Sequence, residues 1–413
     1  MLWQPSLPEV YRTLSGDELA ARIDARRKEL GDSLFILGHH YQTDQIIRHA
    51  DATGDSLKLS QIAARVATKR PVKYVVFCGV HFMAETADML TPDHVAVILP
   101  DLSAGCSMAD MAQYDDTVEA WEAIQRVIND AGLNARVVPI TYVNSSAAIK
   151  AFVGAHGGAC CTSSNAKQVF AWARAGGTIP KRAGEEIKVL FLPDQHPGRN
   201  TAAAAGIDVG TRAALYDPRA AHAGKELGGS SREVIERAEV ILWAGHCSVH
   251  KLFRPEHCRA IREENERDKA AGAKREAVKI LVHPECCKEV VDLADMSGST
   301  EFIIQAIRAS APGSRWAVGT ETHLVGRLAK EAAARGVEVR ILSDCQCLCT
   351  TMYRIDEPHL LWVLDHMAGG LSKSGKTKIV NQISVPAKVR EQALLAVDRM
   401  LELSKPGTKA SVD

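Results

Sequence analysis

Short, almost uninterrupted apolar runs recur along the chain, separated by stretches in which apolar residues return every three or four positions. The runs are SLFILG (33–38), KYVVFCG (73–79), VAVILP (95–100), RVVPITYV (136–143), KVLFLPD (188–194), VILWAG (240–245), KILVHP (279–284), RWAVGT (315–320) and VRILS (339–343). Their length and β-branched content predict strands covered on both faces. Between them, SLKLSQIAARVAT (56–68), TVEAWEAIQRVIND (117–130), SNAKQVFAWARA (164–175) and HLVGRLAKEAAARG (323–336) carry the spacing of amphipathic helices. Strands alternating with helix-length segments predict βαβ units and parallel sheets, so the fold class is α/β.

A positional repeat runs through this pattern. Three strands end in a pair of polar residues two positions apart: His39 and Tyr41, Tyr142 and Asn144, His283 and Glu285. Each is followed by hydroxyl residues at an expected helix start, namely Ser56, Ser163, and Ser299 with Thr300. Each unit then closes on a cysteine after a later strand: Cys106, Cys247 and Cys349. Ser56 to Cys106 and Ser299 to Cys349 both span 50 residues, and Ser163 to Cys247 spans 84. The excess marks an insertion near 201–232. The reading is three Rossmann-like α/β/α domains: 1–110 (joined by 350–413), 111–250 and 251–349. Ligands bind at the carboxyl ends of parallel strands. Pseudo-threefold symmetry would therefore aim the repeated residues at one central active site.

Composition narrows the task. Fifty basic and fifty acidic side chains cancel, giving no basic excess for nucleic acid or an anionic membrane. Aromatic residues are only 5% of the chain, too few for base-stacking platforms. No apolar run reaches the ~18 residues of a membrane span. The first residues lack the basic and apolar regions of a signal peptide, so a cytoplasmic protein is expected. Eleven cysteines in a reducing compartment are then thiols or ligands rather than disulfides.

Three converging thiolates would hold an iron–sulfur cluster or a zinc and leave one metal position open for substrate. Hydroxyl residues at helix starts are ordinary caps when alone. Three of them beside strand-end polar groups suggest sites for a substrate carrying several anionic groups. His39, Tyr41, Tyr142, His283 and Glu285 are acid–base candidates. His250, three residues after Cys247, is either a partner of that site or a surface residue.

Together LGHHYQ, GDSLKLS, FCGVHFMAETADML, LPDLSAGCSMAD, YVNSSAAIKA, TSSNA, GHCSVH, VHPEC, GST and CLCTTMYRIDEPHLLWVL resemble, in order, the motifs of the quinolinate synthase family. The resemblance runs from about residue 33 to about residue 403. It implies a triangular three-domain fold around a [4Fe-4S] cluster held by Cys106, Cys247 and Cys349. The implied reaction condenses iminoaspartate with dihydroxyacetone phosphate to quinolinate, losing phosphate and two waters, in de novo NAD biosynthesis. His39, Ser56, Ser163, His283, Ser299 and Thr300 would anchor phosphate or carboxylates. Tyr41 and Tyr142 would assist proton transfers, Asn144 would orient substrate, and Glu285 would be the general base. An aspartate oxidase or dehydrogenase would supply the iminoaspartate.

Cys349 is preferred as third ligand because TTMYRI directly follows it; Cys347 is the alternative. Cys345 and Cys347 could form a regulatory disulfide, although so close a pair would be strained. Two rival readings remain at this level. One is another iron–sulfur hydro-lyase acting on a different small anion. The other is a cysteine-based redox or metal sensor, which would give Tyr142 and Glu285 no role.

Overall fold

A computed structural model describes residues 4–344, 347–369 and 379–405. It is an α/β structure with three mainly parallel sheets flanked by helices. The first sheet contains β1 (Leu34–His39), β2 (Ala52–Gly54), β3 (Tyr74–Cys78) and β4 (Ala96–Ile98). The second contains β5 (Ala135–Tyr142), β6 (Ala159–Cys161), β7 (Glu186–Leu192), β8 (Ala213–Tyr216) and β9 (Val240–Trp243). The third contains β10 (Val278–Val282), β11 (Met296–Ser297), β12 (Arg315–Gly319) and β13 (Glu338–Ile341), and β14 (Gln382–Ile383) returns antiparallel onto β4.

The three sheets share one strand order. It reads β2-β1-β3-β4 in the first, β6-β5-β7-β9 in the second and β11-β10-β12-β13 in the third, all parallel. In each, the strand that ends in a polar pair lies second, beside a short edge strand that leads to the hydroxyl residue at the next helix. The stretch 201–232 supplies what the second sheet has in addition: β8, on the far side of β9, and the helix Pro218–His222.

All nine apolar runs are strands. All but β13 bury continuous residues, such as Val75 to Cys78 and Val189 to Leu192, because helices cover the sheets. The five unanticipated strands, β2, β6, β8, β11 and β14, are all sheet edges.

By contacts the chain forms two compact units. The first comprises the chain up to Cys106 with Leu348–Pro386, and contains the first sheet; the second contains the other two sheets and the chain from Ala387 on. In the second unit the helix Ala387–Leu403 packs on the helix Ala147–Ala155 and on β6 through Ala393, Ala396, Val397 and Met400. Gly154 makes that approach feasible: a Cβ there would lie 2.0 Å from the Gln392 carbonyl oxygen. Among the described residues no helix is long and apolar enough to cross a membrane.

Candidate active site

Two strand ends of the second unit build a compact polar centre. Cys247 and His250 follow β9, and His283 and Glu285 follow β10. The Cys247 thiol, a His250 ring nitrogen and a Glu285 carboxylate oxygen all lie within 4.8 Å of one another. His250 Nδ1 is 2.9 Å from Glu285 Oε2 and 3.2 Å from Cys247 Sγ, and its Nε2 is 3.2 Å from Thr320 Oγ1. The imidazole thus donates from Nδ1 toward the carboxylate and accepts the Thr320 hydroxyl at Nε2. The His283 ring stacks on His250 with centroids 4.6 Å apart.

Burial sets the charges here. His283 and Glu285 are each 4% exposed. Desolvation pushes the His283 imidazole down to about 3, against the pull of Glu285. For Glu285, burial alone would raise the pKa. The two imidazoles and the hydrogen bonds from His250 and Cys247 overcome it and bring the carboxyl down to about 2. At neutral pH the centre therefore holds a neutral His283 beside an ionised Glu285.

His39 and His283 are held identically by their own chains. The Tyr41 amide donates to His39 Nδ1 at 3.1 Å, and the Glu285 amide donates to His283 Nδ1 at 3.3 Å. With Nδ1 accepting, the neutral ring carries its hydrogen on Nε2, a donor for phosphate or carboxylate oxygen. Two of the three strand-end pairs share this geometry; Tyr142, with no ring nitrogen, cannot adopt it. The Tyr41 ring packs edge-on against His39, with centroids 4.8 Å apart. Tyr142 ends β5 at 3% exposure, and half-exposed Asn144 follows two residues on.

The hydroxyl residues divide. Ser56 opens the helix Ser56–Lys69, but its cap is Asp55, which accepts the Lys58 amide at 2.9 Å. Ser163 lies in the turn before the helix Ala166–Arg174, which has no side-chain cap. Ser299 is itself the cap of the helix Thr300–Arg308, accepting the Phe302 amide at 3.2 Å, and buried Thr300 follows it.

In the first unit, Cys106 and Cys349 sit on segments that are tied together. Arg354, five residues after Cys349, donates to Ser103 Oγ at 3.0 Å. Asp101 folds the Cys106 loop by accepting the Ser103 amide at 2.8 Å.

Cysteine environments separate the ligand candidates. Cys106, Cys247 and Cys349 are partly exposed, whereas Cys78, Cys160, Cys161, Cys258, Cys286 and Cys347 are buried. Burial pushes the Cys78 and Cys160 thiols up to about 12 and Cys258 up to about 11, so they stay protonated, whereas metals bind thiolates. Cys287 is also partly exposed, and burial raises its pKa too. Cys347 is fully buried, and its carbonyl accepts the Thr322 amide at 3.1 Å. Cys345 lies outside the described residues, so its pairing with Cys347 does too.

The family model of the quinolinate synthetase A protein matches residues 21–402. The chain belongs to this family. It is 48% identical over 394 residues to a quinolinate synthase of Acidobacterium capsulatum, covering 95% of each chain. It is 46% identical over 396 residues to one of Anoxybacillus flavithermus, covering 96% of each. With one of Rhodopirellula baltica it is 46% identical over 401 residues, covering 95% of this chain and 92% of the relative.

Several residues around the site carried no decisive sequence signal. His250 is 1% exposed and belongs to the polar centre rather than the surface; its place three residues after Cys247 was the available hint. Lys150 is fully buried and donates from Nζ to the carbonyls of Val143 (2.9 Å) and Ser145, on either side of Asn144. Asp194 is fully buried after β7. Desolvation and the Glu285 charge push its carboxyl well above the usual range, with the His196 and Cys247 amides opposing.

Proposed function

We propose that this chain condenses iminoaspartate with dihydroxyacetone phosphate to quinolinate, releasing phosphate and water, as a cytoplasmic step of de novo NAD biosynthesis. The observation that carries this reading is the Cys247–His250–Glu285 centre at the ends of β9 and β10 in a member of the quinolinate synthetase A protein family. The fully buried cysteines are poor thiolate donors, whereas partly exposed Cys106, Cys247 and Cys349 fit the ligand set of a [4Fe-4S] cluster. Such a cluster, with three protein ligands, supplies an open iron as a Lewis acid for dehydration.

The chain's own residues do the rest. His39 and His283 offer Nε2 hydrogens to the anionic groups of the substrates. Ser56, Ser163, Ser299 and Thr300 stand at helix starts, where free amides and the helix dipole favour phosphate and carboxylate. Asn144 orients substrate, and Tyr41 and Tyr142 assist proton transfer. Glu285 accepts a proton as general base. Its pKa near 2 makes it a weak base alone. His250 orients the accepting carboxylate by donating its Nδ1 hydrogen across the 2.9 Å contact. Because iminoaspartate is short-lived, an aspartate-oxidising enzyme must deliver it.

A bacterium lacking its own quinolinate-forming step tests this reading. Expression of the chain restores growth without added nicotinate, and the Cys247→Ala variant does not. No growth with well-expressed wild type would contradict it.

A further inference from the structure

We infer that Asn200 is a positioning residue that fixes Glu285 by clamping the carbonyls of the residues on both sides of it. Asn200 lies on the helix Gln195–Ala204, which follows β7, and Glu285 lies beyond β10 in a different sheet of the same unit. Its side-chain amide donates two hydrogen bonds of 2.9 Å, to the carbonyls of Pro284 and Cys286. These two carbonyls bracket Glu285. A primary amide presents two N–H groups on one nitrogen and can serve both carbonyls at once; a carboxylate presents none.

A clamp fixes its target only if it is itself fixed. Asp194 caps the helix start by accepting the His196 amide at 2.8 Å. The Gln195 amide donates to the Gly245 carbonyl at 3.2 Å, two residues before Cys247. Gly198 seats the helix directly on its sheet: a Cβ there would lie 2.7 Å from Leu242 and 2.8 Å from the Phe191 ring. On the other side, the turn is closed by the Cys286 amide donating to the His283 carbonyl at 3.0 Å. Asn200 therefore transmits the rigid placement of one sheet to the base carried by the next.

The inference rests on the reading of Glu285 as the acid–base residue. Its test is Asn200→Ala, with Asn200→Asp as the same-sized variant lacking the donors. Displacements of about 1 Å cost about a hundredfold in rate, so kcat for quinolinate formation falls about tenfold to a hundredfold in both. KM and the iron and sulfide content stay near wild type. Amide hydrogen exchange at Glu285 and Cys286 accelerates. On the Glu285→Gln background, Asn200→Ala costs less than about twofold more, because its effect passes through Glu285. Unchanged kcat and exchange in the single variants, or an equal loss on the Glu285→Gln background, would overturn the inference. Wild type is assayed alongside: if it makes no quinolinate, the functional reading fails, and the exchange measurement still decides the clamp.

Discussion

Glu285→Gln lowers kcat for quinolinate formation about 10²- to 10⁴-fold, the usual weight of one positioned acid–base group, and leaves the iron and sulfide content unchanged. The glutamine keeps the volume of the side chain and can still accept from His250 Nδ1, now 2.9 Å from Glu285 Oε2. What it loses is the negative charge that allows the side chain to take a proton. Because anion binding is assigned mainly to His39, His283 and the helix starts, KM changes far less than kcat. Steady-state rates with both substrates saturating check this. A kcat within about twofold of wild type would remove Glu285 from the chemistry.

Iron is lost from each of Cys106→Ala, Cys247→Ala and Cys349→Ala and retained in Cys347→Ala. Wild type purified without oxygen carries about four irons and four sulfides, the content of a [4Fe-4S] centre. The three proposed ligands are partly exposed, and Cys347 is fully buried. Metal and acid-labile sulfide analysis reads the outcome. Two results would revise the ligand set. Loss in Cys347→Ala with retention in Cys349→Ala would move the third ligand. A single zinc retained in Cys106→Ala would point instead to a mononuclear site on Cys247, His250 and Glu285, whose donors suit one tetrahedral ion.

The central strands were legible because they are apolar on both faces, as in KYVVFCG and KVLFLPD. Of the edge strands among the described residues, only β13 (VRILS) was. β2 and β6 have three residues each and β11 has two, too few for any periodicity to register. The strand-end pairs were legible as a spacing, and the structure gives the spacing a cause. A histidine two residues before a backbone amide can accept from it at Nδ1, as both His39 and His283 do. Ser299 shows the reverse: it matched the repeat, and it also serves as an ordinary cap through Phe302. Asn200 could not be found from sequence. It sits in a polar helix, and the carbonyls it serves lie 84 and 86 residues away. Lys150 had the same disadvantage, because a lysine on a helix is normally solvated and this one is fully buried.

The most direct test of the whole account is the chemistry itself. Protein purified without oxygen, with its cluster intact, is given dihydroxyacetone phosphate and freshly generated iminoaspartate, and quinolinate and inorganic phosphate are measured together. The account predicts that the two appear in equal amounts and that both vanish when dihydroxyacetone phosphate is omitted. Cluster-loaded protein that forms no quinolinate, or forms it without dihydroxyacetone phosphate, would contradict it.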